Sequence, residues 1–209
     1  MEENYPGSLD CKVIYELNNN NELLINFQAI SDQDTIVNLT NHNYWNFHGH
    51  GDHYQNNEDH VVHINSNSIC ETDEQSIPTG KIINIEDTKF NLKNEFLISK
   101  EFLNSGGIDH NYALKDQSMM ESVATIYSKK TGMGVEYFTN QHGIQFYTGN
   151  MMLDKYIGKY NKAYGSQYGM CLEPQYYPDA VNHPNFPSPI LRKNNNYISK
   201  IKIKLRNNF

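Results

Sequence analysis

Apolar and polar residues alternate with a period of two along much of this chain, and that pattern limits it to strands. Across residues 197–206, Ile201, Ile203 and Leu205 fall on one face and Lys200, Lys202 and Lys204 on the other. A half-buried antiparallel strand with a charged outer face has this pattern, and its lysines also suit a sheet edge. Nearer the start, Leu23, Ile25, Phe27 and Ala29 alternate with Leu24, Asn26 and Gln28, after a strand-like run at residues 12–17. The four asparagines between them tolerate left-handed backbone and predict a hairpin turn, though they are also a low-complexity tract. A second hairpin is predicted from residues 122–127 and 135–139 around Lys-Lys-Thr-Gly-Met-Gly, and a further strand over residues 144–148. Helical signals are weak: residues 96–103 supply a couple of turns at most. Short strands with Gly, Asn and Asp turns predict an all-β antiparallel sandwich. No internal repeat or linker divides the chain, so residues 1–209 are expected to form a single domain.

Residues 171–191 hold Pro174, Pro178, Pro184, Pro187 and Pro189, five of the seven prolines, so no helix runs there. A strand-like run delivers Glu173, and the stiff loop behind it is a plausible support for a catalytic base. The net charge of -7 repels phosphate backbones and argues against a nucleic-acid partner. No apolar run approaches the ~18 residues of a transmembrane helix, and the first residues do not read as a signal peptide. Cys11, Cys70 and Cys171 are far apart and odd in number, which fits reduced thiols in a cytoplasmic protein.

Alternation places Tyr168, Met170 and Leu172 on one face and Gly169, Cys171 and Glu173 on the other. A lone glutamate near a strand end is more often a solvated acid, yet its small face-mates leave room for a ligand. His42 lies in Thr-Asn-His-Asn-Tyr-Trp-Asn-Phe; it is either a satisfied structural histidine or a proton donor near neutral pH. Tyr44, Trp45 and Phe47 can offer platforms for sugar rings or belong to the core. Asp109 follows a diglycine, and Gln145 and Tyr147 project in parallel from one strand. Those residues make either a hydroxyl-binding edge or an ordinary polar face. His48, His50, His53, His60 and His63 raise the question of a metal. They lack an accompanying cysteine or glutamate ligand motif and sit among loop glycines, so no metal site is expected there. Nothing resembles a phosphate-binding strand-to-helix turn or a nucleophile elbow.

Taken in order, Tyr-Pro-Gly-Ser-Leu from residue 5, Val-Asn-Leu-Thr-Asn-His ending at His42 and Ile-Pro-Thr-Gly from residue 77 form the first part of a pattern. Gly-Ile-Asp-His-Asn around Asp109, Gln-Phe-Tyr-Thr-Gly-Asn from Gln145, and Leu-Glu-Pro-Gln with Pro-Asp-Ala-Val-Asn-His-Pro complete it. This set resembles the aldose 1-epimerase (galactose mutarotase) family. The resemblance implies a large antiparallel β-sandwich of the galactose mutarotase-like supersandwich type. His42 would be the general acid at the pyranose ring oxygen and Glu173 the general base at the anomeric hydroxyl. Asp109 and Gln145 would bind sugar hydroxyls, and Tyr147 would line the pocket. The substrate would be a hexose such as galactose or glucose, with no cofactor. Family members run about a hundred residues further at the N-terminus, where another active-site histidine and a sugar-binding arginine lie. The chain is therefore expected to lack the N-terminal strands and to expose a sheet edge. The alternative is a truncated, inactive sugar-binding or partner-dependent module. A sugar phosphate is disfavoured because the only arginines are Arg192 and Arg206. Glu-Pro-Gln also replaces the Glu-Thr-Gln of many relatives, removing a backbone donor beside the base.

Overall fold

The computed structural model describes residues 3–50, 55–115, 118–153 and 157–209. Two antiparallel sheets face each other. The larger runs in the order β1 (Leu9–Leu17), β2 (Glu22–Ser31), β14 (Asn196–Arg206), β10 (Gly134–Thr139), β9 (Ala124–Ser128), β4 (His60–Ile64), β7 (Phe96–Leu97). The smaller runs β12 (Cys171–Gln175), β11 (Gly143–Tyr147), β8 (Asp109–Ala113), β5 (Ser68–Thr72), β6 (Pro78–Asn84). A short ribbon pairs β3 (Thr35–Ile36) with β13 (Ile190–Leu191).

The period-two pattern becomes the packing. Ile25 and Phe27 of β2, Ile201 and Ile203 of β14, and Val135 and Tyr137 of β10 point inward from the larger sheet. They meet Tyr112 of β8, Ile144 and Phe146 of β11 and Leu172 of β12 in one buried cluster. Burying a residue of this size contributes about 1.5–3 kcal/mol. Both predicted hairpins form. The first turns through Asn21 at φ 59°, where asparagine tolerates the left-handed conformation, with the Asn18 side chain accepting from the Asn20 and Glu22 amides.

Two expectations change. The lysine-lined strand is not a sheet edge: β14 lies between β2 and β10 and pairs with both. Its lysines mark only the solvent face, and Lys202 lies 4.0 Å from the centre of the Phe138 ring. The exposed edge belongs to β1 instead, where every residue except Ile14 is exposed, Val13, Tyr15 and Leu17 included. The helix keeps within the couple of turns expected at most, but it begins later than residue 96. Residues 96–97 pair with Val62 and Val61 as β7, and only Lys100–Asn104 is helical (α1), capped by the Ser99 hydroxyl accepting from the Phe102 amide.

The segment 37–48 crosses the outer edge of β12 and is fastened to it along its length. Thr40 Oγ1 donates to the Pro174 carbonyl at 2.7 Å, and Trp45 and Met170 exchange amide–carbonyl bonds at 2.7 and 2.9 Å. In an antiparallel strand a residue's nitrogen and carbonyl share a side, so the Pro174 nitrogen also faces this segment, away from β11. The proline beside Glu173 therefore costs no bond of the ladder. Trp45 Nε1 donates at 2.7 Å to the hydroxyl of Tyr137, a residue 1% exposed. Trp45→Phe is expected to lower stability by about 1–3 kcal/mol by leaving that hydroxyl unsatisfied. Urea unfolding measures it, and an unchanged midpoint would mean the hydroxyl finds another partner.

Candidate active site

Strand register assembles the site. Glu173, Gln145 and Asn111 stand side by side across β12, β11 and β8, and Cys171, Tyr147 and Asp109 form the neighbouring row. Their chain neighbours Leu172, Ile144, Phe146 and Tyr112 fill the core. Alternation therefore turns both rows to the opposite face of the sheet. The proline-rich loop closes one end of this face, where Tyr177, Ala180 and Phe186 pack on Cys70 and Ala113.

His42 enters from the fastened segment. Its Nε2 lies 3.4 Å from Glu173 Oε1, with the histidine side chain 50% exposed and the glutamate's 10%. Tyr44 stacks on the His42 ring at 4.9 Å and meets Tyr147 edge-on at 6.4 Å. Gln145 Nε2 donates to Asp109 Oδ1 at 2.7 Å, and the Tyr147 hydroxyl accepts from the Met151 amide at 2.8 Å. The turn before Asp109 needs its glycine. Gly107 has φ 59°, and a Cβ there would collide with Thr148 Oγ1 and Asn150 Oδ1. Thr148 Oγ1 in turn accepts from the Ile108 amide at 2.9 Å, fixing the start of β8.

Burial pushes the Glu173 carboxyl above its ordinary range, and the Asp109 charge adds to that; the attraction of His42 works the other way and does not prevail. Burial likewise raises the Cys171 thiol and, as the largest cause, pushes the Tyr44 hydroxyl to about 12. The result is a carboxylate with a weakened hold on water, facing an accessible imidazole. That pair can take and give protons on neighbouring atoms of one ligand.

The structure thus brings together His42, Glu173, Asp109, Gln145 and Tyr147, although they span more than 130 positions of sequence. Glu173 is buried rather than a solvated acid. Tyr44 reaches the site, whereas Trp45 and Phe47 stack on each other and pack against the core. The histidine group divides. His48 and His60 are buried ring to ring at 4.1 Å. His60 Nε2 accepts from the Phe47 amide and its Nδ1 lies 3.1 Å from the Asn57 carbonyl. Burial lowers its pKa to about 4, so it is a neutral structural residue and not part of a solvated loop. His50 lies against Tyr164, and His53 lies outside the described residues. Both arginines are engaged elsewhere, Arg192 with Asp34 at 2.6 Å and Arg206 with Glu136 at 2.8 Å.

Two site residues had no assigned part from the sequence: Cys171 and Asn111. Alternation had already put Cys171 on the face of Glu173, and the same rule applied across β8 would have flagged Asn111, which is 2% exposed.

The two facing antiparallel sheets make a β-sandwich, and its fold is of the galactose mutarotase-like class. The sequence matches the aldose 1-epimerase family over residues 1–204, and the chain belongs to that family. It is 39% identical to the galactose mutarotase of Bos taurus over 198 residues, covering 94% of this chain and 57% of that protein. It is 29% identical to the aldose 1-epimerase of Escherichia coli over 207 residues, covering 95% of this chain and 59% of that protein. The chain thus spans less than two thirds of the length of these relatives. The fold is like that of the crystal structure of an aldose epimerase homologue from C. elegans, with a TM-score of 0.88 at 24% identity, covering 100% of this chain and 63% of that one. It is also like a galactose 1-epimerase from Lactobacillus acidophilus, with a TM-score of 0.79 at 23% identity, covering 98% and 59%.

Proposed function

We propose that this chain interconverts the α and β anomers of a hexose, galactose or glucose, by opening and reclosing the pyranose ring. The observation that carries the reading is the pairing of His42 and Glu173, 3.4 Å apart, beside the Asp109–Gln145 hydrogen bond. The anomeric hydroxyl and the ring oxygen are bonded to the same carbon. The group that takes a proton from one must therefore neighbour the group that protonates the other. Glu173 accepts the hydroxyl proton while His42 Nε2–H donates to the ring oxygen. The C1–O bond of the ring breaks and the C1 hydroxyl becomes a carbonyl. Rotation about C1–C2 presents the other carbonyl face, and reclosure with the two roles reversed gives the second anomer. No electrons leave the sugar, so the cycle needs no redox partner. Asp109 and Gln145 bind ring hydroxyls, and Tyr147 with Tyr44 lines the pocket.

Polarimetry of freshly dissolved α-D-galactose and α-D-glucose with the 209-residue chain tests this. The chain is expected to accelerate mutarotation, and His42→Asn to slow it by about 100-fold or more. A second reading, a sugar-binding module without chemistry, draws on the chain's spanning 57% of a relative's length. A folded chain that binds sugar without changing the rate of optical rotation would favour it.

A further inference from the structure

The acid–base pair has a third neighbour that the proposed reaction does not use. Cys171 projects from β12 onto the same face as Glu173, two residues along the strand. His42 Nε2, the Cys171 sulfur and a Glu173 oxygen all lie within 4.8 Å of one another. We infer that these three side chains bind a thiophilic divalent cation such as Zn2+, which takes the place of the anomeric carbon between acid and base and blocks the site. The inhibitory part of this inference rests on the acid–base reading above; the binding part does not.

Geometry and donor chemistry both favour it. One nitrogen, one thiolate and one carboxylate are the ligand types that tetrahedral zinc accepts, and three protein ligands leave a fourth position for water. With Zn–N and Zn–O bonds near 2.0–2.1 Å and Zn–S near 2.3 Å, tetrahedral ligands stand about 3.3–3.6 Å apart. The His42–Glu173 separation of 3.4 Å already meets that spacing. The Cys171 sulfur lies within 4.8 Å of both other ligand atoms, so it has to move in by no more than roughly 1.5 Å, which a change in χ1 supplies. Glu173 is buried, and its carboxylate is held by a long contact to a half-exposed histidine. A cation would satisfy it more fully. The half-exposed His42 also supplies the way in. Hard cations that prefer six or more oxygens, such as Mg2+, do not match the set.

Binding requires the thiolate. As the metal–sulfur bond forms, the thiol proton passes to solvent, and any proton on His42 Nε2 leaves with it. Because binding releases that proton, affinity rises with pH. Zn2+ and hexose compete for one place, so sugar should raise the Zn2+ concentration needed for inhibition.

Co2+ serves as the spectroscopic stand-in for Zn2+. Titrated into the full chain, it is expected to give a near-ultraviolet thiolate-to-metal absorption that saturates at one equivalent and is displaced by Zn2+. Cys171→Ser should remove that absorption and weaken binding at least about tenfold. Cys11→Ser and Cys70→Ser should leave both intact, since neither thiol belongs to the trio. In the mutarotation assay Zn2+ should inhibit the wild-type chain, Mg2+ should not, and Cys171→Ser should need at least about tenfold more Zn2+. No thiolate absorption with the folded wild-type chain, or an unchanged one in Cys171→Ser, overturns the inference. A Cys171-dependent absorption in a chain with no mutarotase activity sustains the cation site and sinks the proposed function instead.

Discussion

Glu173→Gln is expected to abolish mutarotation while leaving the fold as stable as before, or more so. The amide keeps the shape of the carboxyl but cannot accept the anomeric proton. General base catalysis is worth about 100- to 10,000-fold, so the rate should fall by that factor. The stability half follows from linkage. Burial raises the folded-state pKa of Glu173 above its ordinary 4.5, whereas the unfolded chain has the ordinary value. Between those two pKa values the folded state holds a proton that the unfolded state has released. Stability associated with this group is thus present below the ordinary value and lost as pH rises through the raised one. At neutral pH the ionised form is a net cost, which Gln removes. Thermal unfolding at pH 7 should show an equal or higher midpoint for the variant, with the difference vanishing toward pH 4. A clear loss of midpoint at pH 7 would mean that the carboxylate is held by favourable contacts, and the argument from its burial would fail. The same raised pKa places the acid limb of the pH–rate profile above the usual carboxylate range. Activity should decline as pH falls through that limb, because the base becomes protonated.

How much of this was legible in the chain depends on distance. Local alternation placed Ile201 and Ile203 inward and Lys200 outward correctly, because strand period is a property of a few consecutive residues. The same lysines could not say whether β14 has neighbours on both sides. Lysine on a solvent face and lysine on an edge read alike, and only pairing with β2 and β10 distinguishes them. Glu173 read as a surface acid because its cover comes from far away in sequence. His42 arrives from a segment fastened by Thr40 and Trp45, and Asp109 and Gln145 arrive through register. Motif order brought these residues together before any geometry did. It offered no guidance on Cys171, whose closeness to His42 Nε2 exists only after the loop crosses the strand edge. The histidine-rich stretch misled in the other direction: glycines nearby suggested a solvated loop, yet His48 and His60 are buried.

Adjacent residues on β11 give the sharpest contrast. Phe146→Ala is expected to cost about 3–5 kcal/mol, since the ring is 1% exposed within the cluster shared by both sheets and its loss leaves a cavity. Folded domains are stable by about 5–15 kcal/mol, so this one change removes a large part of the margin. Gln145→Ala, one residue earlier, faces the site. It deletes the 2.7 Å bond to Asp109 and a proposed contact to a sugar hydroxyl, with stability shifting by about 1 kcal/mol or less. Its effect should appear in KM, raised about tenfold, because a hydroxyl contact is worth about 1.4 kcal/mol when lost from substrate binding. Guanidinium unfolding and mutarotation kinetics on both variants separate the two faces of the strand. If Gln145→Ala unfolded the chain as readily as Phe146→Ala, the outer face would be a second core rather than a binding surface. If Phe146→Ala were silent in unfolding, the two sheets would not share the core through which β11 holds Gln145 and Tyr147 beside Glu173.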